Sequence, residues 1–210
     1  MSKVLYIEAS PRGERSKSIT VATAFLDAYR KAHPGDEVVA LNLAEANLPT
    51  LDAAMLAAKY RYLHGENPTS DEMALWKSVV AVADEFKSAD KYVFSVPMWN
   101  FGIPYRLKHY IDVLVQPGLT FSYSPDEGYK GLVTGKPAVI VCARGGQYPE
   151  GTDYAGMDMQ TKYLKLVLGF IGLTDLRWVI VEPTLMGGPD VAAQTVAAAI
   201  EKAKEMARSL

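Results

Sequence analysis

Val4-Leu5-Tyr6-Ile7 leads into Ser10-Pro11-Arg12-Gly13-Glu14-Arg15-Ser16-Lys17-Ser18, and an amphipathic helical pattern begins near Ser16. The apolar run predicts a strand, so the stretch Ser10–Ser18, here called the serine loop, predicts a strand-to-helix junction. The first N–H groups of a helix lack partners within it, and the helix dipole makes that end partly positive. Clustered hydroxyls and two arginines at such a junction favour a bound phosphate. The serine loop therefore predicts a phosphorylated ligand.

A purely structural interpretation of the serine loop is also available, because Ser16 could be an ordinary helix N-cap and Ser10 could close a turn. The binding interpretation is favoured because the loop follows the first strand, and open parallel sheets bind ligands at the carboxyl ends of their strands. The loop contains neither G-x-G-x-x-G nor the Walker pattern, which disfavours a dinucleotide pyrophosphate site and a nucleoside-triphosphatase site.

Five β-rich runs alternate with helical patterns along the chain, and most of the runs are nearly continuous apolar stretches. Strands of that kind are buried on both faces, which predicts a parallel sheet covered by helices. The alternation predicts an α/β fold, a doubly wound sheet of strand order 2-1-3-4-5 with helices on both faces. The predicted strands are Lys3–Ala9, Glu37–Leu43, Lys91–Val96, Pro137–Ala143 and Leu176–Val181. The predicted helices are Ser18–Ala32, Ala53–Tyr62, Ser70–Ser88, Pro104–Val115, Met159–Gly169 and Val191–Ser209.

Two segments interrupt this alternation. Thr50 to Asn67 predicts an inserted helix between the second and third strands, and Phe121–Val133 predicts a hairpin from its alternating aromatics around Pro-Asp-Glu-Gly. Because no linker-like or repeated segment divides the chain, residues 1–210 are predicted to form a single domain.

The composition limits the classes of partner. The chain has 210 residues and a net charge of −2, so no general attraction to nucleic acid or to an anionic membrane is expected. No apolar run approaches the roughly 20 residues of a membrane span, and no signal-peptide pattern precedes the first strand. The single cysteine, Cys142, excludes an intrachain disulfide, and we expect a cytoplasmic protein.

Two more loops are predicted at the edge of the sheet that carries the serine loop. The aromatic loop, Pro97–Pro104, places Trp99 and Phe101 beside an amide, which suits a flat heterocycle. The glycine loop, Ala143–Tyr148, contains a Gly-Gly pair that allows backbone to approach a ligand closely. Each feature alone could be ordinary packing or an ordinary turn. Together the three loops predict a pocket for a phosphorylated planar cofactor.

These motifs, in particular Pro97-Met98-Trp99-Asn100-Phe101-Gly102-Ile103-Pro104, resemble those of the FMN-dependent NADH azoreductase and quinone oxidoreductase family. The resemblance runs along nearly the whole chain. It implies a flavodoxin-like fold and a homodimer with one FMN per subunit. It also implies hydride transfer from NADH or NADPH through the flavin to quinones or azo compounds.

The resemblance also implies site residues by position. It assigns FMN binding to Ser10, Arg12, Ser16, Lys17, Ser18, Pro97, Met98, Trp99, Asn100, Phe101, Ala143, Arg144, Gly145 and Gly146. Trp99 stands where tyrosine is common in the family, and Ala143 stands where serine is frequent. Aromatics of the flanking loops are candidates for binding the acceptor or, equally, for packing at a subunit interface. They are Phe121, Tyr123, Tyr129, Tyr148 and Tyr154.

The predicted chemistry requires no catalytic side chain, because the flavin carries the electrons and the protein orients it. The three histidines lack metal-ligand spacing, so no metal is expected, and Cys142 is expected to be a small buried residue. Donor and acceptor are predicted to react in turn, by a ping-pong scheme. The alternatives are a flavodoxin-type electron carrier, a reductase that uses free FMN, and a phosphate-binding hydrolase.

Overall fold

The computed structural model describes residues 1–210 and contains seven strands and six α-helices. The strands are β1 (Lys3–Glu8), β2 (Glu37–Asn42), β3 (Lys91–Pro97), β4 (Phe121–Ser124), β5 (Gly128–Gly131), β6 (Ala138–Ala143) and β7 (Leu176–Val181). The helices are α1 (Lys17–Ala32), α2 (Ala53–Leu63), α3 (Ser70–Ser88), α4 (Tyr105–Leu114), α5 (Met159–Phe170) and α6 (Gly188–Ala207).

Five strands form a parallel sheet in the order β2-β1-β3-β6-β7, which confirms the predicted order of the five main strands. All six residues of β6 are buried, as are five of the seven in β3. These central strands are covered on both faces, which explains why their sequences are continuously apolar. Because every strand points the same way, the loops that follow β1, β3, β6 and β7 meet at one edge of the sheet.

Helices cover both faces of the sheet and define two cores. On one face, α1 and α6 pack together, and Phe25 and Tyr29 of α1 are fully buried against the sheet. On the other face, α3, α4 and α5 contribute Phe86, Leu107 and Leu164 to the larger core. This arrangement confirms the doubly wound α/β prediction.

The inserted helix is also confirmed, as α2, and it packs on α3. Met55 of α2 and Trp76 of α3 are buried in a small third cluster. Thr69 and Glu72 form a capping box that fixes the start of α3.

The predicted hairpin is confirmed as the antiparallel pair β4–β5, with Tyr123 opposite Tyr129. It lies at the amino edge of the sheet, because the N–H of Val133 donates to the carbonyl of Ile171, just before β7. Gly131 approaches so closely there that a Cβ would lie 2.3 Å from the backbone nitrogen of Gly172. None of the helices combines the length and the apolar character that a membrane span requires.

Candidate functional site

The serine, aromatic and glycine loops converge at the carboxyl edge of the sheet, as predicted. They surround a cavity of about 270 Å³, and the segment that follows β7 closes another side of it. The lining residues are Arg12, Arg15, Ser16, Lys17, Pro97, Met98, Trp99, Ala143, Gly145, Thr184 and Leu185. Eight of these were assigned to cofactor binding from sequence, so parts of all three predicted loops line one cavity.

The serine loop presents unpaired donors. Ser16 occupies the N-cap position of α1, but its side chain makes no capping hydrogen bond. Its Oγ lies 3.1 Å from that of Ser18, and both residues are buried. The first helical bond runs from the N–H of Thr20 to the carbonyl of Ser16, which leaves the N–H groups of residues 17, 18 and 19 without a partner in the chain. A helix start with free N–H groups and buried hydroxyls is suited to an anion.

Positive side chains surround that helix start. Arg12, Arg15 and Lys17 all line the cavity. Glu14 is exposed in the same loop but does not line it. Ser10 is buried, and its Oγ accepts a long, 3.4 Å hydrogen bond from the N–H of Arg12. Charge and donors therefore favour an anionic group at this end of the cavity.

The aromatic loop contains a tight turn held by two backbone bonds. The N–H of Trp99 donates to the carbonyl of Gly102 at 3.0 Å, and the reverse bond measures 2.9 Å. Both central residues are left-handed, with φ of 47° at Asn100 and 68° at Phe101. Asparagine tolerates this conformation, whereas phenylalanine adopts it at a cost of about 1–2 kcal/mol. The side chain of Phe101 nevertheless remains 49% exposed.

The glycine loop is bonded to both neighbouring loops. The carbonyl of Ala143 accepts from the N–H of Met98 at 2.8 Å, and that of Gly145 accepts from the N–H groups of Leu185 and Met186. A Cβ at Gly145 would lie 2.9 Å from Cδ1 of Leu185, a contact that the exposed leucine side chain would have to relieve by moving. The ring of Tyr148 meets Phe101 edge-on at 6.5 Å, which places this predicted aromatic beside the site.

Arg144 was predicted to bind the cofactor, but its guanidinium does not line the cavity. It lies instead against Asp158, Gln160 and Glu182, and the residue is only 3% exposed. Sequence position placed Arg144 in the right loop without revealing that its side chain points into the protein.

Three lining residues were not assigned to the site from sequence, namely Arg15, Thr184 and Leu185. A signal was available for the last two, because they follow the fifth parallel strand and therefore lie at the same edge as the other loops. Arg15 belongs to the serine loop, and its position in a short 3₁₀ turn, Gly13–Arg15, brings it to the cavity.

None of the five predicted acceptor residues lines this cavity, although Tyr148 lies beside it. Phe121, Tyr123 and Tyr129 belong to the hairpin at the opposite edge of the sheet, where Phe121 and Tyr129 pack with Phe170. Tyr154 is exposed in the 3₁₀ turn Asp153–Met157, outside the lining.

No histidine or cysteine belongs to the site. Burial raises the pKa of the Cys142 thiol to about 12, and the residue is fully buried at the end of β6. His109 Nε2 lies 2.7 Å from the carbonyl oxygen of Pro49, and His33 stacks on Tyr29. No group of three or more histidine, cysteine, aspartate or glutamate residues is placed to hold a metal ion.

Comparison with known proteins agrees with this geometry. A model of the family described as having a flavodoxin-like fold matches residues 2–207. The chain is 52% identical over 207 residues to the FMN-dependent NADH:quinone oxidoreductase of Nitratidesulfovibrio vulgaris strain DP4, with 99% of each chain covered. It is 46% identical over 209 residues to the enzyme of that name from Desulfotalea psychrophila, with 98% of each covered.

Solved structures give the same result. An azoreductase from Bacillus anthracis strain Sterne superposes with a TM-score of 0.91 at 36% identity, covering 100% of both chains. An FMN-dependent NADH-azoreductase from the Ames Ancestor strain, solved in complex with FMN, gives 0.86 at 30% identity, covering 99% of this chain and 100% of the other. The chain therefore belongs to the flavodoxin-like family that includes these FMN-dependent NADH:quinone oxidoreductases and azoreductases.

Proposed function

We propose that this oxidoreductase binds FMN and passes electrons from NADH or NADPH to quinones and azo compounds. The observation that carries the proposal is one cavity with unpaired donors at one end and the indole of Trp99 at the other. The names of its relatives support the same reaction. The two ends match the two chemically different parts of FMN, a phosphate and a flat ring.

The serine loop fits the phosphate. The free N–H groups at residues 17 to 19 and the hydroxyls of Ser16 and Ser18 can all donate to phosphate oxygens. Arg12 and Lys17 supply opposite charge at the cavity wall. These donors and positive charges are grouped at one place in the chain before a ligand binds, which lowers the cost of ordering them around a dianion.

The aromatic and glycine loops fit the ring. Trp99 and Met98 offer apolar area, and Gly145 brings backbone close without a side chain. We assign the polar edge of the ring to the amide of Asn100 and to backbone near Phe101 and Gly146. Bound FMN would supply the two-electron chemistry. The chain's own residues orient it, and no aspartate, glutamate, histidine, cysteine or tyrosine side chain lines the cavity.

We further propose that donor and acceptor bind one after the other at the same side of this site. Phe101 and Tyr148 stand next to the cavity as an edge-to-face aromatic pair, which favours flat, apolar molecules. Such sequential use of one position gives ping-pong kinetics.

A homodimer is part of the proposal. Tyr123 and Tyr129 are 62% and 67% exposed, and in one copy they lie at the edge of the sheet opposite the cavity. They can therefore contact an acceptor only from a second copy. Large exposed apolar side chains on α4 and α5, such as Tyr105 and Leu166, offer a surface for that copy.

Absorbance of the purified protein tests the main proposal. We expect the protein to take up FMN, lose the yellow flavin absorbance with NADH or NADPH, and regain it with menadione or methyl red. A protein that takes up no FMN, or whose reduced flavin is not reoxidised by either acceptor, contradicts it. Stopped-flow reduction by NADH or NADPH without acceptor tests the ping-pong scheme, which fails if bound flavin stays oxidised.

The hairpin assignment has its own test. Tyr129→Ala should raise the KM for a quinone and leave FMN affinity unchanged, because in this proposal the hairpin reaches the acceptor in a second copy and not its FMN. Tyr60→Ala, on the exposed face of α2, is the matched control. Unchanged acceptor KM in Tyr129→Ala, or a monomer in sedimentation at assay concentration, removes the hairpin from the site.

A further inference from the structure

Arg144 makes contacts that the proposed reaction does not use. Its guanidinium donates to Gln160 Oε1 from Nε at 3.1 Å, to Glu182 from Nη1 at 3.3 Å, and pairs with Asp158 through Nη2 at 2.9 Å. The partners come from two places in the chain: Asp158 and Gln160 lie at the start of α5, and Glu182 directly follows β7. A buried cation that is bonded to three side chains fixes the relative positions of the segments to which those side chains belong.

Gln160 leads from Arg144 to the aromatic loop. It is fully buried, and its Nε2 donates to the carbonyl of Val96 at 3.0 Å. Val96 is followed directly by Pro97 and Met98, which line the cavity. One side chain therefore joins the guanidinium to the backbone at the start of the predicted ring site.

Asp158 leads to the strained turn of the same loop. Its carboxylate caps α5 by accepting from the N–H and hydroxyl of Thr161. The next residue, Met159, donates its N–H to the carbonyl of Phe101 at 3.0 Å. Holding Asp158 therefore holds the helix start on which the left-handed Phe101 rests.

The third contact leads to the segment after β7. Glu182 receives the guanidinium, while the carbonyl of Arg144 accepts from both the N–H and the hydroxyl of Thr184 at 2.8 Å. Thr184 and Leu185 line the cavity. Arg144 thus reaches three sides of the cavity without entering it.

We propose that Arg144 is a positioning residue, which acts with Asp158, Gln160 and Glu182 to set how the aromatic loop, the glycine loop and the segment after β7 face bound FMN. The proposal rests on the proposed function and adds to it the residues that determine the shape of the ring site. It assigns no chemical step to Arg144.

The test compares FMN binding by the FMN-free proteins, followed through quenching of flavin fluorescence, and the visible spectrum of bound FMN. We expect Arg144→Met to weaken FMN binding by about tenfold, because the groups that face the ring lose part of their fixed arrangement before FMN binds. Its flavin absorbance bands should also shift. Arg144→Lys should recover part of the affinity, because lysine keeps the charge but lacks the planar fork.

Lys136→Met is the matched control at the amino edge of the sheet. Lys136 is a part-buried cation that donates to the carbonyls of Lys87 and Ala89, so its loss should reduce stability without changing affinity or spectrum. Equal weakening by both methionine variants would show a general loss of stability and overturn the proposal. Wild-type affinity and spectrum in Arg144→Met would overturn it as well.

Gln160→Met keeps the test decisive if Arg144→Met does not fold. It removes no charge and breaks the single path to Val96, so it should weaken FMN binding and shift the spectrum, and an unchanged affinity contradicts the proposal. A wild-type protein that fails to bind FMN overturns the proposed function itself. Wild-type binding with unchanged variants overturns only the role of Arg144.

Discussion

The serine loop and the glycine loop meet at one cavity, yet they use their polar groups in opposite ways. At the start of α1, three N–H groups lack a partner, and the hydroxyls of Ser16 and Ser18 contact mainly each other. In the glycine loop, Arg144 uses its N–H, its carbonyl and its guanidinium within the chain. Unpaired groups can receive a ligand, whereas satisfied groups fix the chain. The serine loop therefore has groups available for a ligand, whereas the polar groups of the glycine loop are used within the protein.

The largest effect, on the free energy of unfolding, should come from the glycine loop. Arg144→Met should lower the free energy of unfolding by about 3–5 kcal/mol, because the carboxylates of Asp158 and Glu182 lose their shared buried cation. Urea unfolding of the FMN-free protein measures this change. A loss below about 1 kcal/mol would mean that the ion pairs of Arg144 are as weak as surface ion pairs. The glycine loop would then not differ from the serine loop in holding the chain.

Substitutions in the serine loop should instead change FMN affinity and leave stability nearly unchanged. Ser16→Ala/Ser18→Ala removes both members of a hydroxyl pair at once, so stability should change little. FMN affinity should fall about tenfold to a hundredfold, equivalent to roughly 1.5–3 kcal/mol for hydrogen bonds to a charged group. Riboflavin affinity should stay constant, because riboflavin has no phosphate. Isothermal titration with the two flavins measures the difference.

Two serines of α3 provide the control for that variant. Ser78 and Ser88 each donate to a carbonyl three residues earlier and lie away from the cavity. Ser78→Ala/Ser88→Ala should leave the affinity for both flavins unchanged. Equal losses of affinity for FMN and for riboflavin in the Ser16/Ser18 variant would mean that the serine loop does not bind the phosphate.

The smallest effect is expected at the turn that lies between these two loops. Phe101→Gly should change the free energy of unfolding by less than about 1 kcal/mol, since relief of the left-handed strain offsets the flexibility that glycine adds to the unfolded chain. Thermal or urea unfolding of the FMN-free protein checks this. A loss of several kcal/mol would show that the half-exposed ring is a structural anchor rather than part of the binding surface.

The fold could be predicted from sequence because burial on both faces leaves a clear pattern. Runs such as Ala138-Val139-Ile140-Val141 identify central strands by themselves. Helix ends were less certain, and α6 begins at Gly188 rather than near Val191, because Pro189 suits a first helical turn. The hairpin was predicted from its turn residues, but its place at the amino edge depends on contacts with Gly172 that no local pattern contains.

The site was predictable to the level of loops and not of side chains. Parallel strands bring successive loops to one edge, so eight lining residues could be named from sequence. The direction of the Arg144 side chain depends on Asp158 and Glu182, which come 14 and 38 residues later and become neighbours only in the folded sheet. The left-handed conformation of Phe101 was equally invisible, because phenylalanine rarely adopts it.

The burial of Cys142 has a chemical consequence for an enzyme proposed to handle quinones. Quinones arylate thiolates, and a thiol that is fully enclosed, with its pKa raised to about 12, offers them almost no thiolate to attack. The only cysteine of the chain is thereby shielded from the acceptors proposed for the enzyme. Because the sulfur can react only when β6 is exposed, the rate at which Cys142 is alkylated measures how often the central sheet opens.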